Sequence, residues 1–60
     1  MIFANIETIC KEKGLSIAAL EKAAGLGNGT VRNWRETKPN LANLEAVAKV
    51  LEVPVTKLMG

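Results

Sequence analysis

Histidine is missing from this chain of 60 residues, and cysteine occurs once, at Cys10. Without an imidazole there is neither the usual general base nor the commonest nitrogen ligand for a metal, and the single thiol has no histidine to activate it. One cysteine also rules out an internal disulfide and a thiolate metal cage. Catalysis is therefore not expected, nor is any metal or other cofactor; Cys10 reads as a small apolar residue on the buried side of a helix. No stretch approaches the ~20 uninterrupted apolar residues of a membrane helix. The first residues lack the basic region, apolar run and small-residue cleavage site of a secretion signal, so a cytoplasmic protein without a membrane partner is expected. Strand signals are scarce too. The valines and isoleucines fall at helical spacing, not in alternation.

What remains is a small helical chain. A domain of this length buries only ~60% of the surface its unfolded chain exposes, so one domain spanning residues 1–60 is expected, able to fold but with little stability to spare. An apolar share of 48% against 23% charged residues is that of a globular chain, not a disordered one. Phe3, Ile6, Ile9 and Cys10 recur at helical spacing until Gly14, which predicts a first helix. Ser16 is a good N-cap for a second, running to about Ala24 and stopping at Gly25, where glycine permits the left-handed backbone that many helix ends require. A third helix is predicted over about 28–36, with Leu26, Val31 and Trp34 on its apolar side, and Pro39 closes the loop that follows. Asn40 then caps a fourth helix carrying Leu41, Leu44, Val47, Ala48 and Leu51, the strongest amphipathic pattern in the chain. Pro54 opens a fifth through Val55, Leu58 and Met59.

Helices this short are marginal in isolation, so all five must share one core. That core is expected to contain Phe3, Ile6, Ile9, Leu15, Leu20, Ala24, Leu26, Val31, Trp34, Leu44, Val47, Ala48, Leu51, Val53 and Leu58. The fold class is thus all-α, a compact bundle of about five short helices.

The stretch Leu15 to Lys38 holds two helices joined at Gly25, the sequence form of a DNA-reading helix-turn-helix. Charge placement agrees. The formal net charge is only +2, but between Gly27 and Asn43 the bases Arg32, Arg35 and Lys38 meet the single acid Glu36, while lysines and glutamates balance over the rest of the chain. Asn28, Asn33, Asn40 and Asn43 lie in the same segment, a composition suited to hydrogen bonding with phosphates and base edges. A merely solvated polar face is the competing explanation.

At these residues the chain resembles the phage-repressor and Cro-like helix-turn-helix proteins, the XRE family. The resemblance is carried by Leu15-Ser16, Leu20, the turn Ala24-Gly25-Leu26-Gly27 and the run Asn28-Gly29-Thr30-Val31-Arg32-Asn33-Trp34. Beyond the turn it continues through Lys38-Pro39-Asn40, Leu44, Ala48-Lys49-Val50-Leu51-Glu52-Val53 and Leu58-Met59-Gly60. It implies a lambda-repressor-like fold whose third helix enters the major groove. On matching positions it makes Asn28, Gly29, Arg32 and Asn33 the base-facing set. Arg32 suits guanine O6 and N7, and either asparagine suits adenine N6 and N7. Gly29, with no side chain, leaves room for close backbone approach or for a thymine methyl. Thr30 resembles a phosphate-contacting position. Further phosphate contacts are expected from the N–H groups of Ser16 and Ile17 at a helix start and from Arg35, Lys38, Asn40 and Asn43.

The chain departs from the family at three places. Ile17 stands where Gln is frequent, which removes a side-chain contact. Arg35 replaces a Glu that pairs with an Arg near the position of Cys10; both partners are gone, so no lone charge is buried and Arg35 is expected to face phosphate. Glu21 replaces a small Ala packed against the turn, which implies either a more open site or a Glu21 stem lying along the surface.

The function expected is sequence-specific binding of double-stranded DNA by a transcriptional regulator, a repressor of bacterial or phage type, acting as a homodimer on an operator. Pairing is expected either through Val55, Leu58 and Met59 or through a part of a longer protein. The alternative is a protein-interaction module or antitoxin-like partner that keeps the fold.

Overall fold

The computed structural model describes residues 2–59. Ile2–Lys13 form α1, Ile17–Ala23 α2, Leu41–Leu51 α3 and Val55–Met59 α4, with one short 3-10 helix, Arg32–Arg35, between α2 and α3. Gly60, where the resemblance ends, lies outside the described residues. No strand occurs among them, and the all-helical architecture is the one expected from the spacing of apolar residues.

Local chemistry sets the helix ends. The Ser16 hydroxyl oxygen accepts the Ala19 N–H at 3.0 Å and the Asn40 side-chain oxygen accepts the Asn43 N–H at 2.8 Å, so both caps named from sequence form. Gly14 (φ +67°) and Gly25 (φ +74°) end α1 and α2 in the left-handed region. Beyond Gly25 the Leu26 N–H reaches back to the Glu21 carbonyl at 2.8 Å and the Gly25 N–H to that of Lys22 at 3.1 Å, the paired bonds of a Schellman end. The same pair closes α3, where Val53 N–H bonds the Ala48 carbonyl and Glu52 N–H that of Lys49. There the left-handed residue is Glu52, at φ 59°.

The α1 helix packs against α4 and the 3-10 turn, while α3 packs against α2 and α4. Phe3, Ile6, Cys10, Leu20, Val31, Trp34, Leu44, Val47, Ala48, Leu51 and Leu58 form the buried centre. Ile9, Leu15, Ala24, Leu26 and Val53, expected inside, lie half-buried against it. Trp34 is only 7% exposed, so its ring is a core element. Asn5 ties α1 to α4 by donating from its side-chain amide to the Leu58 carbonyl at 2.9 Å. Burial pushes the Cys10 thiol up from its ordinary value, which keeps it protonated at neutral pH.

Three expectations are corrected. The predicted helix over 28–36 is a run of turns from Asn28 to Val31 followed by the 3-10 helix, so the described residues hold four α-helices and one 3-10 helix where about five short helices were expected. Its cause is at Gly29, whose φ of +90° is outside any right-handed helix. Leu41, assigned to the apolar face of its helix, is 63% exposed because it occupies the first position of α3, beyond the edge of the core. Leu58, a candidate for a pairing surface, is fully buried; of that trio Met59 alone stands out, 59% exposed.

Replacing Trp34 by Ala is expected to destabilise the domain by about 3 kcal/mol, read from urea or thermal unfolding. Glu52→Gly should act oppositely, adding about 1 kcal/mol by relieving the left-handed strain of a residue with a Cβ.

Candidate nucleic-acid interface

The two limbs of the motif are α2 and the segment Asn28–Arg35, held at an angle by the Gly25 turn. Two α-helical steps still appear in the second limb, from Asn33 N–H to the Gly29 carbonyl at 3.0 Å and from Thr37 N–H to that of Asn33 at 3.1 Å. Trp34 N–H bonds the Val31 carbonyl and Glu36 N–H that of Asn33, which tightens the turn to 3-10 geometry. Val31 and Trp34 point into the core, so Arg32, Asn33 and Arg35 are turned outward by the same geometry.

What fixes this limb is a carboxylate from the other one. Glu21 is 2% exposed. One of its oxygens accepts the Gly29 N–H at 3.0 Å; the second accepts the Val31 N–H at 2.8 Å and, more weakly, the Arg32 N–H at 3.4 Å. A helical turn begins with N–H groups that have no partner within it, and a buried donor left in that state is expensive. Glu21 satisfies them from across the turn. No buried side-chain nitrogen or oxygen among the described residues lacks a partner.

Both expectations for Glu21 are thereby corrected. The site is not open, and the stem does not lie on the surface; the carboxylate is drawn inward because donors await it there. Burial alone would raise the pKa of Glu21, but the N–H bonds from Gly29, Val31 and Arg32, together with the positive charge of Arg32, outweigh it, and the net shift is downward. A sequence signal for this role exists. Glu21 stands in the last turn of α2, where the helix dipole disfavours an acid, and no basic residue occupies a position three or four residues away.

Of the expected base-facing residues, Asn28, Arg32 and Asn33 are exposed and Gly29 is half-buried. Gly29 is explained by its backbone: a Cβ there would meet nothing within 4 Å, so conformation and not crowding demands glycine. The Asn33 side-chain amide donates to the Thr37 hydroxyl at 3.3 Å, and that hydroxyl donates in turn to the Asn33 carbonyl at 3.2 Å. Thr37 thus steadies Asn33, a part that sequence spacing did not reveal. Thr30 is half-buried, its hydroxyl oxygen lying where a Cβ on Gly27 would come within 3.3 Å.

Among the expected phosphate contacts, Arg35 and Lys38 are brought to one cleft of about 310 Å³, which Ile2, Trp34, Pro39 and Met59 also line. Arg35 is less free than its lack of a family partner implied. Its guanidinium carbon lies 4.7 Å from the centre of the Phe3 ring, a cation–π stack that leaves the N–H edges outward. Ser16 and Asn40 are exposed but spend a side-chain oxygen on their caps, while Ile17 and Asn43 are half-buried. Asn28 lines a second cleft together with Ala18, Glu21, Lys22 and Leu26.

A turn at Gly25, a second limb with outward amide and guanidinium groups, and the surrounding helices agree with one known family model, that of the Cro/C1-type HTH DNA-binding domain, which matches residues 5–60. The chain belongs to this family. No curated protein and no solved structure matches it significantly. As a Cro/C1-type domain it binds DNA by a helix-turn-helix, whose limbs here are α2 and the Asn28–Arg35 segment. None of its described helices is long and apolar enough to cross a membrane.

The Glu21 carboxylate gives the domain an acid-sensitive step. Because its folded pKa lies below the unfolded one, the stabilisation is complete above the ordinary glutamate value of about 4.3 and is lost as pH falls through the lower folded value. Glu21→Gln should lower stability at pH 7 by about 2 kcal/mol and flatten the part of the acid-induced loss that Glu21 causes. Urea unfolding of both proteins as pH is lowered measures it.

Proposed function

We propose that this Cro/C1-type domain reads a specific operator as part of a transcriptional repressor, working in the cytoplasm as a homodimer on two half-sites. The observation that carries the proposal is the outward display of Asn28, Arg32 and Asn33 from one short, internally capped segment. In the major groove Arg32 would fork onto guanine O6 and N7, and Asn28 or Asn33 would pair with adenine N6 and N7. Gly29 would let the backbone approach the base edges closely. Register would come from phosphate contacts by the Ser16 and Ile17 N–H groups, the Thr30 hydroxyl, Arg35, Lys38, Asn40 and Asn43. A single domain of this size reads only a few base pairs, which is why two-fold pairing on adjacent half-sites supports useful affinity.

A protein-interaction role is the second reading. The observation in its favour is the half-apolar cleft beside the exposed Met59, together with a net charge of only +2. Binding to random duplex that falls steeply with salt supports the DNA reading, and its absence at low salt supports the other.

On the best duplex selected from a random pool, Arg32→Ala should weaken binding by about 1–3 kcal/mol and relax the preference at one base pair. Lys38→Ala should weaken selected and random duplexes alike and reduce the salt slope by about 1. Fluorescence anisotropy titrations give both numbers; identical losses on both duplexes for Arg32→Ala would remove it from the base-reading set.

A further inference from the structure

Given the DNA-reading role proposed above, on which the assignment rests, we infer that Glu21 is a positioning and specificity-determining residue of the interface. Its buried carboxylate aims the Asn28–Asn33 segment and keeps a fixed negative charge beside the residues that meet the duplex.

Three features of the structure lead there. The bonds from Glu21 span the turn from α2 to the second limb and end on the backbone of Gly29, Val31 and Arg32, so they grip the very stretch from which Asn28, Arg32 and Asn33 project. Of its own helical bonds that stretch keeps only the Asn33 N–H on the Gly29 carbonyl, because Gly29 at φ +90° ends regular helix before it, and the N–H groups of Gly29 and Val31 depend on Glu21. Finally, the N–H groups that open a helical turn ordinarily attract an anion, and in a DNA-binding limb the available anion is a phosphate. This domain supplies the anion itself. Its backbone donors are already engaged, and discrimination is left to the side chains.

Two opposite effects on DNA follow. The carboxylate holds Asn28 and Arg32 in one pose, which favours the selected site. At the same time its charge offsets part of the attraction that Arg32, Arg35 and Lys38 exert on any phosphate backbone, which disfavours random sequence. Gln at position 21 is nearly the same shape, keeps one accepting oxygen and removes the charge, so it separates the two effects from simple loss of a side chain.

The test measures anisotropy on the best selected duplex and on random duplex over a range of salt, for the wild type, Glu21→Gln and a core variant, Val47→Ala, whose residue is fully buried and remote in role from the interface. For Glu21→Gln, random-duplex affinity should rise about threefold with a steeper salt slope, while affinity for the selected duplex falls, narrowing the ratio by about tenfold. Val47→Ala should lower both affinities by one common factor, that of the folded fraction. If Glu21→Gln behaves like Val47→Ala, Glu21 is structural and the assignment is overturned. A wild type that binds no duplex at low salt overturns the DNA reading itself, a different result. Should Glu21→Gln fail to fold, amide spectra of the wild type bound to DNA decide. Gly29 and Val31 N–H signals that keep their free-state positions support the assignment, and scalar coupling of either to phosphorus overturns it.

Discussion

A carboxylate placed against the start of a neighbouring helical turn is the constraint on which this domain depends. The second limb of the motif has little of its own to stand on: two glycines near its start, the second of them left-handed, and a single turn of 3-10 helix. Val31 and Trp34 bury its inner side, but apolar burial is not directional and would tolerate sliding or rotation. Hydrogen bonds to a charged acceptor are directional, and Glu21 provides three from a helix that is itself closed by a Schellman end. The motif is rigid because its two limbs complete one another's unsatisfied polar groups.

The outer surface of that limb is held more lightly. Thr37 ties down Asn33, and Phe3 supports Arg35 by stacking from α1. These contacts limit rotamer freedom while leaving polar edges open to solvent, an arrangement suited to groups that must later meet a charged backbone. Because Phe3 belongs to α1 and is itself buried, the basic corner of the interface is coupled to the packing of the first helix.

Much of this could be anticipated from residue order because it depends on neighbours in the chain. Ser16 and Asn40 cap three residues ahead, Gly25 turns the chain where it stands, and the apolar stripe Leu44, Val47, Ala48 and Leu51 needs only helical periodicity. The failures are tertiary. Periodicity from Leu26 to Trp34 suggested a regular helix, but side-chain spacing carries no information on Gly29's backbone angle or on an acceptor eight residues upstream. Glu21 looked like a misfit in a small-residue position because its donors come from a different element. Leu58 is in the core as expected, which removes it from a pairing surface, and Leu41 was misplaced because which end of a helix faces the core is decided by its partners and not by its own stripe.

The Asn5 amide grips the Leu58 carbonyl, and Ile2 and Met59 wall one cleft, so the start of α1 and the end of α4 meet at one corner. A few added residues could bridge that gap and let the backbone be opened outside the motif, for instance between α3 and α4. A circular permutant of this kind would retain every contact between Glu21 and the second limb. It would also move the points of attachment for any fused protein away from that corner without disturbing the motif.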